Sequence, residues 1–195
     1  MIYNIYISST HTDLAVHRDA VRAALISMDL NPTLGDGDVE TRLMRVRSSD
    51  LFIGILAYRY GEIPMNQQRS IIELEYETAV YHNIPRVMFM VDPHFEWDPL
   101  LVEWDTPSLF YNPQDELYRF KKRIRLEDEI LTFTTPESLT HQIEELFLGK
   151  TRREIDENHA NEDAPSPRVD WLIKGVILLL GIVFVLMLYG LSQTL

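Results

Sequence analysis

Three short stretches hold the residue types that could do chemistry. Ser8-Ser9-Thr10 follows an apolar run and precedes an amphipathic one. Hydroxyls and free backbone N–H groups at such a junction suit an anion such as phosphate, or serve only as helix caps. Tyr58-Arg59-Tyr60-Gly61 places a cation between two aromatics. A guanidinium holds phosphate or carboxylate in bidentate fashion and a tyrosine ring can stack on a base, or Arg59 pairs with a nearby acid. In Ser70-Ile71-Ile72-Glu73-Leu74-Glu75-Tyr76-Glu77, Glu73 and Glu77 are four apart and share a helix face. Glu73 falls in the first turn, where the helix dipole also favours a carboxylate.

Several chemistries are excluded. The chain has no cysteine, so thiolate catalysis and Cys-ligated metal are ruled out. Its six histidines show no metal-ligand spacing, and no metal is expected. Asp36 and Asp38 around Gly37 read as turn residues and not as a calcium loop. No P-loop or dinucleotide glycine pattern is present. With 18 basic against 30 acidic side chains and net charge −12, a nucleic-acid partner is not expected.

The elements that must position these residues alternate. Apolar runs at 2–7, 31–34, 51–56, 87–91 and 131–134 read as strands, the third buried on both faces. Amphipathic runs after each read as helices, the first over 13–29, others marked by Val39, Leu43 and Val46, by Ile72, Tyr76, Ala79 and Val80, and by Leu117, Phe120 and Ile124. A last helix starts at Thr135-Pro136, with Thr as cap and Pro at the first position. The pattern predicts an α/β fold with a five-stranded parallel doubly wound sheet, in the flavodoxin-like order 2-1-3-4-5. Ligands in such sheets bind beyond the carboxyl ends of the strands, where strand order reverses. Residues 92–116, with Phe95, Trp97, Trp104, Phe110 and Tyr111, break the alternation and read as an insertion over one rim.

The remainder divides by composition. Residues 1–150 form the globular domain, with 14 basic against 24 acidic side chains. Residues 151–170 read as an acidic, flexible linker ending in Pro165 and Pro167, whose first turns the preceding helix can enter. Residues 171–191 read as a transmembrane helix, uncharged from Gly175 to Leu191 and flanked by Trp171, Lys174 and Tyr189. Arg152, Arg153, Arg168 and Lys174 precede it, and the tail 192–195 carries no charged side chain. The positive-inside rule then gives a single-pass, tail-anchored protein of the inner cell membrane with its N-terminal domain in the cytoplasm. No signal peptide is legible.

Ile5 through Thr10, Asp13-Leu14, Arg18 through Val21, Ser49 through Gly54, Arg59-Tyr60-Gly61 and Ser70 through Tyr76 together resemble the domain of unknown function numbered 4062. His11, His17, Ala57 and Ile72 depart from its usual residues. That family is related to TIR domains and nucleoside 2-deoxyribosyltransferases. The resemblance implies a TIR-like fold in which Glu73 is the catalytic carboxylate and Asp50 a supporting acid. Ser8, Ser9, Thr10, Arg59, Tyr60, Ser70 and Tyr76 then bind the ligand. A carboxylate there stabilises or traps an oxocarbenium-like sugar cation.

Three functions follow. One is cleavage of the N-glycosidic bond of NAD or a related nucleotide, the nucleotide being substrate and no further cofactor needed. Another is a non-catalytic, nucleotide- or partner-sensing module that self-associates, with the membrane helix as effector. The last is a tethered scaffold. A domain joined to a membrane helix suggests bacterial anti-phage defence, with the bilayer, a second copy of the chain and a defence partner protein as expected partners.

Overall fold

The computed structural model describes residues 3–103 and 112–162. Five strands, β1 (Asn4–Ser9), β2 (Asn31–Leu34), β3 (Leu51–Leu56), β4 (Arg86–Val91) and β5 (Ile130–Phe133), form one sheet. Their order is β2-β1-β3-β4-β5, and every pairing is parallel. Helices α1 (Ala15–Ser27), α2 (Val39–Arg47), α3 (Ile71–Tyr81), α4 (Pro113–Glu127) and α5 (Pro136–Glu162) alternate with the strands. The expected α/β class and strand order are those observed. All six residues of β3 are buried, as its unbroken apolar run requires.

Local chemistry sets the helix starts. Asp38 caps α2 by accepting from the Thr41 N–H, Ser70 caps α3 from Glu73, and Asn112 caps α4 ahead of Pro113. Thr135 accepts from the Ser138 N–H at 3.2 Å at the start of α5. Helix α1 differs. β1 extends through Ser9, and α1 begins only after Leu14, whose side chain is no cap. Ser8-Ser9-Thr10 therefore ends a strand and does not cap a helix. The insertion is also shorter than expected, because residues 113–116 belong to α4. Its described part, 92–103, contains a 3₁₀ turn at Pro99–Leu101. Trp104, Phe110 and Tyr111 lie outside the described residues.

The core centres on Tyr6, Phe52, Leu56, Tyr76, Met88, Phe120 and Ile124, all buried. The chain divides into two compact units, residues 1–146 and 147–195. The sheet and its helices make up the first. The described part of the second is helical and ends at Glu162, within the segment expected to be a flexible linker. Among the described residues no helix is long and apolar enough to cross a membrane. The expected span 171–191, the tail 192–195 and residues 163–170 lie outside them.

Candidate functional site

Because β1 lies between β2 and β3, the chain leaves its carboxyl end in one direction and that of β3 in the other, opening a crevice between the two loops. A cavity of about 310 Å³ occupies it. Ser9, Thr10 and His11 line it from the β1 loop, Arg59 and Gly61 from the β3 loop, and Arg18 and Arg42 reach in from α1 and α2. Three guanidiniums thus meet in a domain whose charge is strongly acidic. Gly61 has φ +88°, which L side chains rarely adopt, and a Cβ there would lie 3.1 Å from Thr10 Cγ2. The glycine lets the β3 loop close against the β1 loop.

Each arginine is aimed by a partner. Arg18 donates to Nδ1 of His11 at 2.7 Å and reaches Asp36 at 3.4 Å. Arg42 donates to the Gly37 carbonyl at 3.2 Å and to Glu75 at 3.2 Å. Arg59 has the loosest tie, 3.9 Å to Glu103. Glu103 also accepts from the Tyr60 N–H at 2.7 Å and so straps residues 92–103 to the β3 loop. The Ser9 hydroxyl is buried and has no hydrogen-bond partner.

Behind Arg42 lies a fully buried carboxylate, Glu75. Tyr6 donates to it at 2.7 Å and Ser8 at 2.5 Å. Burial pushes the Glu75 carboxyl above the usual range, while the donated hydrogen bonds and Arg42 pull it back. The Tyr6 hydroxyl is held well above its ordinary value, chiefly by burial and then by Glu75. A Cβ on Gly35 would stand 2.9 Å from the Tyr6 hydroxyl and 3.0 Å from Glu75, so only glycine lets the β2 end pass this cluster.

The expected site residues divide. Ser8, Ser9, Thr10 and Arg59 gather at or beneath the crevice. The carboxylate under the crevice is Glu75, and Glu73 points elsewhere. It borders a separate cavity of about 510 Å³ with Tyr60, Arg69, Glu116 and Arg119. There it accepts from the Tyr60 hydroxyl at 2.5 Å and pairs with Arg123 at 3.1 Å and Arg69 at 3.7 Å. Asp50 precedes β3, at the amino end of a parallel sheet, where it accepts from the Asn4 N–H at 2.8 Å. It cannot support chemistry at the opposite edge. Tyr60 has its ring in the core and its hydroxyl on Glu73, leaving no face for a base. Ser70 is the buried α3 cap. Tyr76 donates to Glu127 at 2.8 Å and Asp128 at 2.6 Å, away from the crevice.

Arg18, Arg42, Glu75 and Glu103 were not singled out by spacing. For Glu75 a signal existed: Ile72, Glu75, Tyr76 and Ala79 are one helical stripe, and all are buried. A carboxylate inside an apolar stripe must be held by partners from other elements. No group of His, Asp and Glu among the described residues has the geometry to hold a metal ion.

Fold and crevice together define a doubly wound α/β domain with a cationic cleft at its switch point. The family model described as "Domain of unknown function (DUF4062)" matches residues 4–146, and the chain belongs to that family. A 2-desoxiribosyltransferase from Leishmania mexicana is similar in solved structure, at 16% identity and TM-score 0.42, covering 73% of this chain and 97% of that one. No curated protein matches the sequence.

Proposed function

We propose that the domain binds a phosphorylated small molecule of the nucleotide class in the crevice at the ends of β1 and β3. The observation that carries this reading is the meeting of Arg18, Arg42 and Arg59 around the unpartnered Ser9 hydroxyl. Guanidiniums and a hydroxyl are the donors that phosphate oxygens require. Arg59 is the one most available to a ligand, its ion pair among the described residues being the long 3.9 Å contact to Glu103. Calorimetric titration of the full chain with inorganic pyrophosphate and with NAD tests it. Arg59→Ala should weaken binding roughly tenfold, the loss of one charge-assisted contact. Unchanged affinity in that variant removes the crevice from consideration.

A catalytic reading rests on Glu75. A carboxylate held by Tyr6 and Ser8 beneath an anion site has the chemistry to stabilise the sugar cation formed when an N-glycosidic bond breaks. Because Glu75 is fully enclosed, turnover requires the Arg42 side of the crevice to open. Nicotinamide release from NAD by the full chain separates the readings, with Glu75→Gln and Glu73→Gln in parallel. Release abolished by Glu75→Gln alone supports catalysis at the crevice, loss with Glu73→Gln alone transfers it to the α3–α4 cavity, and no release leaves a binding module.

A further inference from the structure

A third cavity, of about 230 Å³, is lined by Asp13 and His17, next to the Ser9–Thr10 loop. Its wall is mainly apolar, with Val16, Phe95, Trp97, Leu101 and Pro136. Three polar groups on it have buried atoms without a hydrogen-bond partner: Asp13 Oδ2, both ring nitrogens of His17, and Trp97 Nε1. Asp13 is 4% exposed and His17 8%. The other Asp13 oxygen accepts from the Thr10 hydroxyl. The rings form a cluster: His17 stacks on Trp97 at 5.3 Å, and Tyr58 and Phe95 flank Trp97 at 6.0 and 6.3 Å.

Buried polar atoms are nearly always paired, and Asp13 Oδ2 with Trp97 Nε1 on one cavity wall call for a molecule that offers both a donor and an acceptor. The carboxylate oxygen needs a donor, the indole N–H needs an acceptor, and neutral imidazole offers one of each. Burial lowers the proton affinity of His17, which keeps it neutral. An ammonium ion supplies donors only and leaves Trp97 unmatched. A sugar by itself has no flat ring to stack in the aromatic cluster. A flat ring carrying an amino group beside a ring nitrogen supplies both, and stacks in the aromatic cluster. At 230 Å³ the cavity is below the roughly 300–1,000 Å³ of sites for larger ligands, which fits a single ring system.

We propose that this cavity binds a planar amino-substituted nitrogen heterocycle of the adenine type, the amino group donating to Asp13 and the ring nitrogen accepting from Trp97. The proposal stands apart from the anion reading, since it uses none of the crevice arginines. Calorimetric titration of the full chain with adenosine, which carries no phosphate, tests it against inosine, where a carbonyl replaces the amino group. Adenosine should bind saturably and inosine at least tenfold more weakly. Trp97→Phe keeps the ring and removes the N–H, and should weaken adenosine binding at least fivefold without altering pyrophosphate binding. Equal binding of the two nucleosides, no saturation at millimolar adenosine, or unchanged affinity in Trp97→Phe each overturns the proposal. The adenosine–inosine comparison needs no variant, so a Trp97→Phe protein that fails to fold leaves the test intact.

Discussion

Glu75 and Lys121 set energetics that can be tested residue by residue. Glu75 is tolerated in the core because three donors from β1 and α2 meet it. Tyr6→Phe removes one of them and keeps the ring that stacks on Phe52. That variant should lose about 2 kcal/mol of unfolding free energy in urea titration, the cost of a hydrogen bond taken from a buried charged group. Lys121, whose ammonium donates to the Ala57 carbonyl and sits 5.2 Å from the Tyr58 ring, has its proton affinity lowered by burial to about 8 from the model-compound value of 10.5. Below that value the folded state carries a penalised charge. Between pH 8 and 10 the unfolded chain binds more protons at this residue, so its contribution raises stability with pH. In Lys121→Met that rise should vanish from the difference curve of denaturant midpoints against pH. The window closes at 10, because the buried tyrosines Tyr6, Tyr60 and Tyr76 hold their protons above their ordinary value of 10.0 and act with the opposite sign.

At the scale of elements, the loops after β1 and β3 are held by few and specific devices. Gly61 is one. Gly61→Ala forces a side chain into a left-handed backbone and against Thr10, and should cost about 1–2 kcal/mol in thermal unfolding while weakening pyrophosphate binding. Ser70→Ala removes the α3 cap and should cost about 1 kcal/mol, with no effect on the anion because Ser70 is buried away from the crevice. These elements were largely legible in the sequence. Short apolar runs and period-3.6 patterns placed five strands and five helices in order, and the alternation implied the parallel sheet. The site was legible only where sequence neighbours share a loop, as in Ser8-Ser9-Thr10 and Arg59. Arg18 and Arg42 project from two different helices into one crevice, and nothing in their spacing records that meeting. Glu73 against Glu75 turned on two residues, about 200° of helical rotation. Both carboxylates are buried on α3, and that rotation sets Glu75 beneath the crevice and Glu73 against the separate cavity. Asp50 failed for a reason of polarity: the start of a parallel strand lies at the opposite edge of the sheet from every switch-point site.

For the whole molecule, charge and apolarity are segregated along the chain, and that segregation gives the prediction that decides where the crevice works. Residues 1–150 carry 14 basic and 24 acidic side chains, and residues 175–191 carry no charged side chain. Residues 171–191 lie outside the described residues, and only their apolar composition and length are the ground for proposing a bilayer tether. In fractionated cells the full chain should remain in the membrane pellet after alkaline carbonate extraction. Two arginines near the centre of the span, Leu180→Arg with Val183→Arg, add roughly 2.5–3.5 kcal/mol each to insertion. The double variant should therefore move to the supernatant while its purified form binds pyrophosphate as the parent does, because no residue of 4–146 is altered. Extraction of the parent chain by carbonate, or a double variant that stays in the pellet, would show that the apolar segment is not what holds the protein, and the domain would then have to be sought in solution or on a partner.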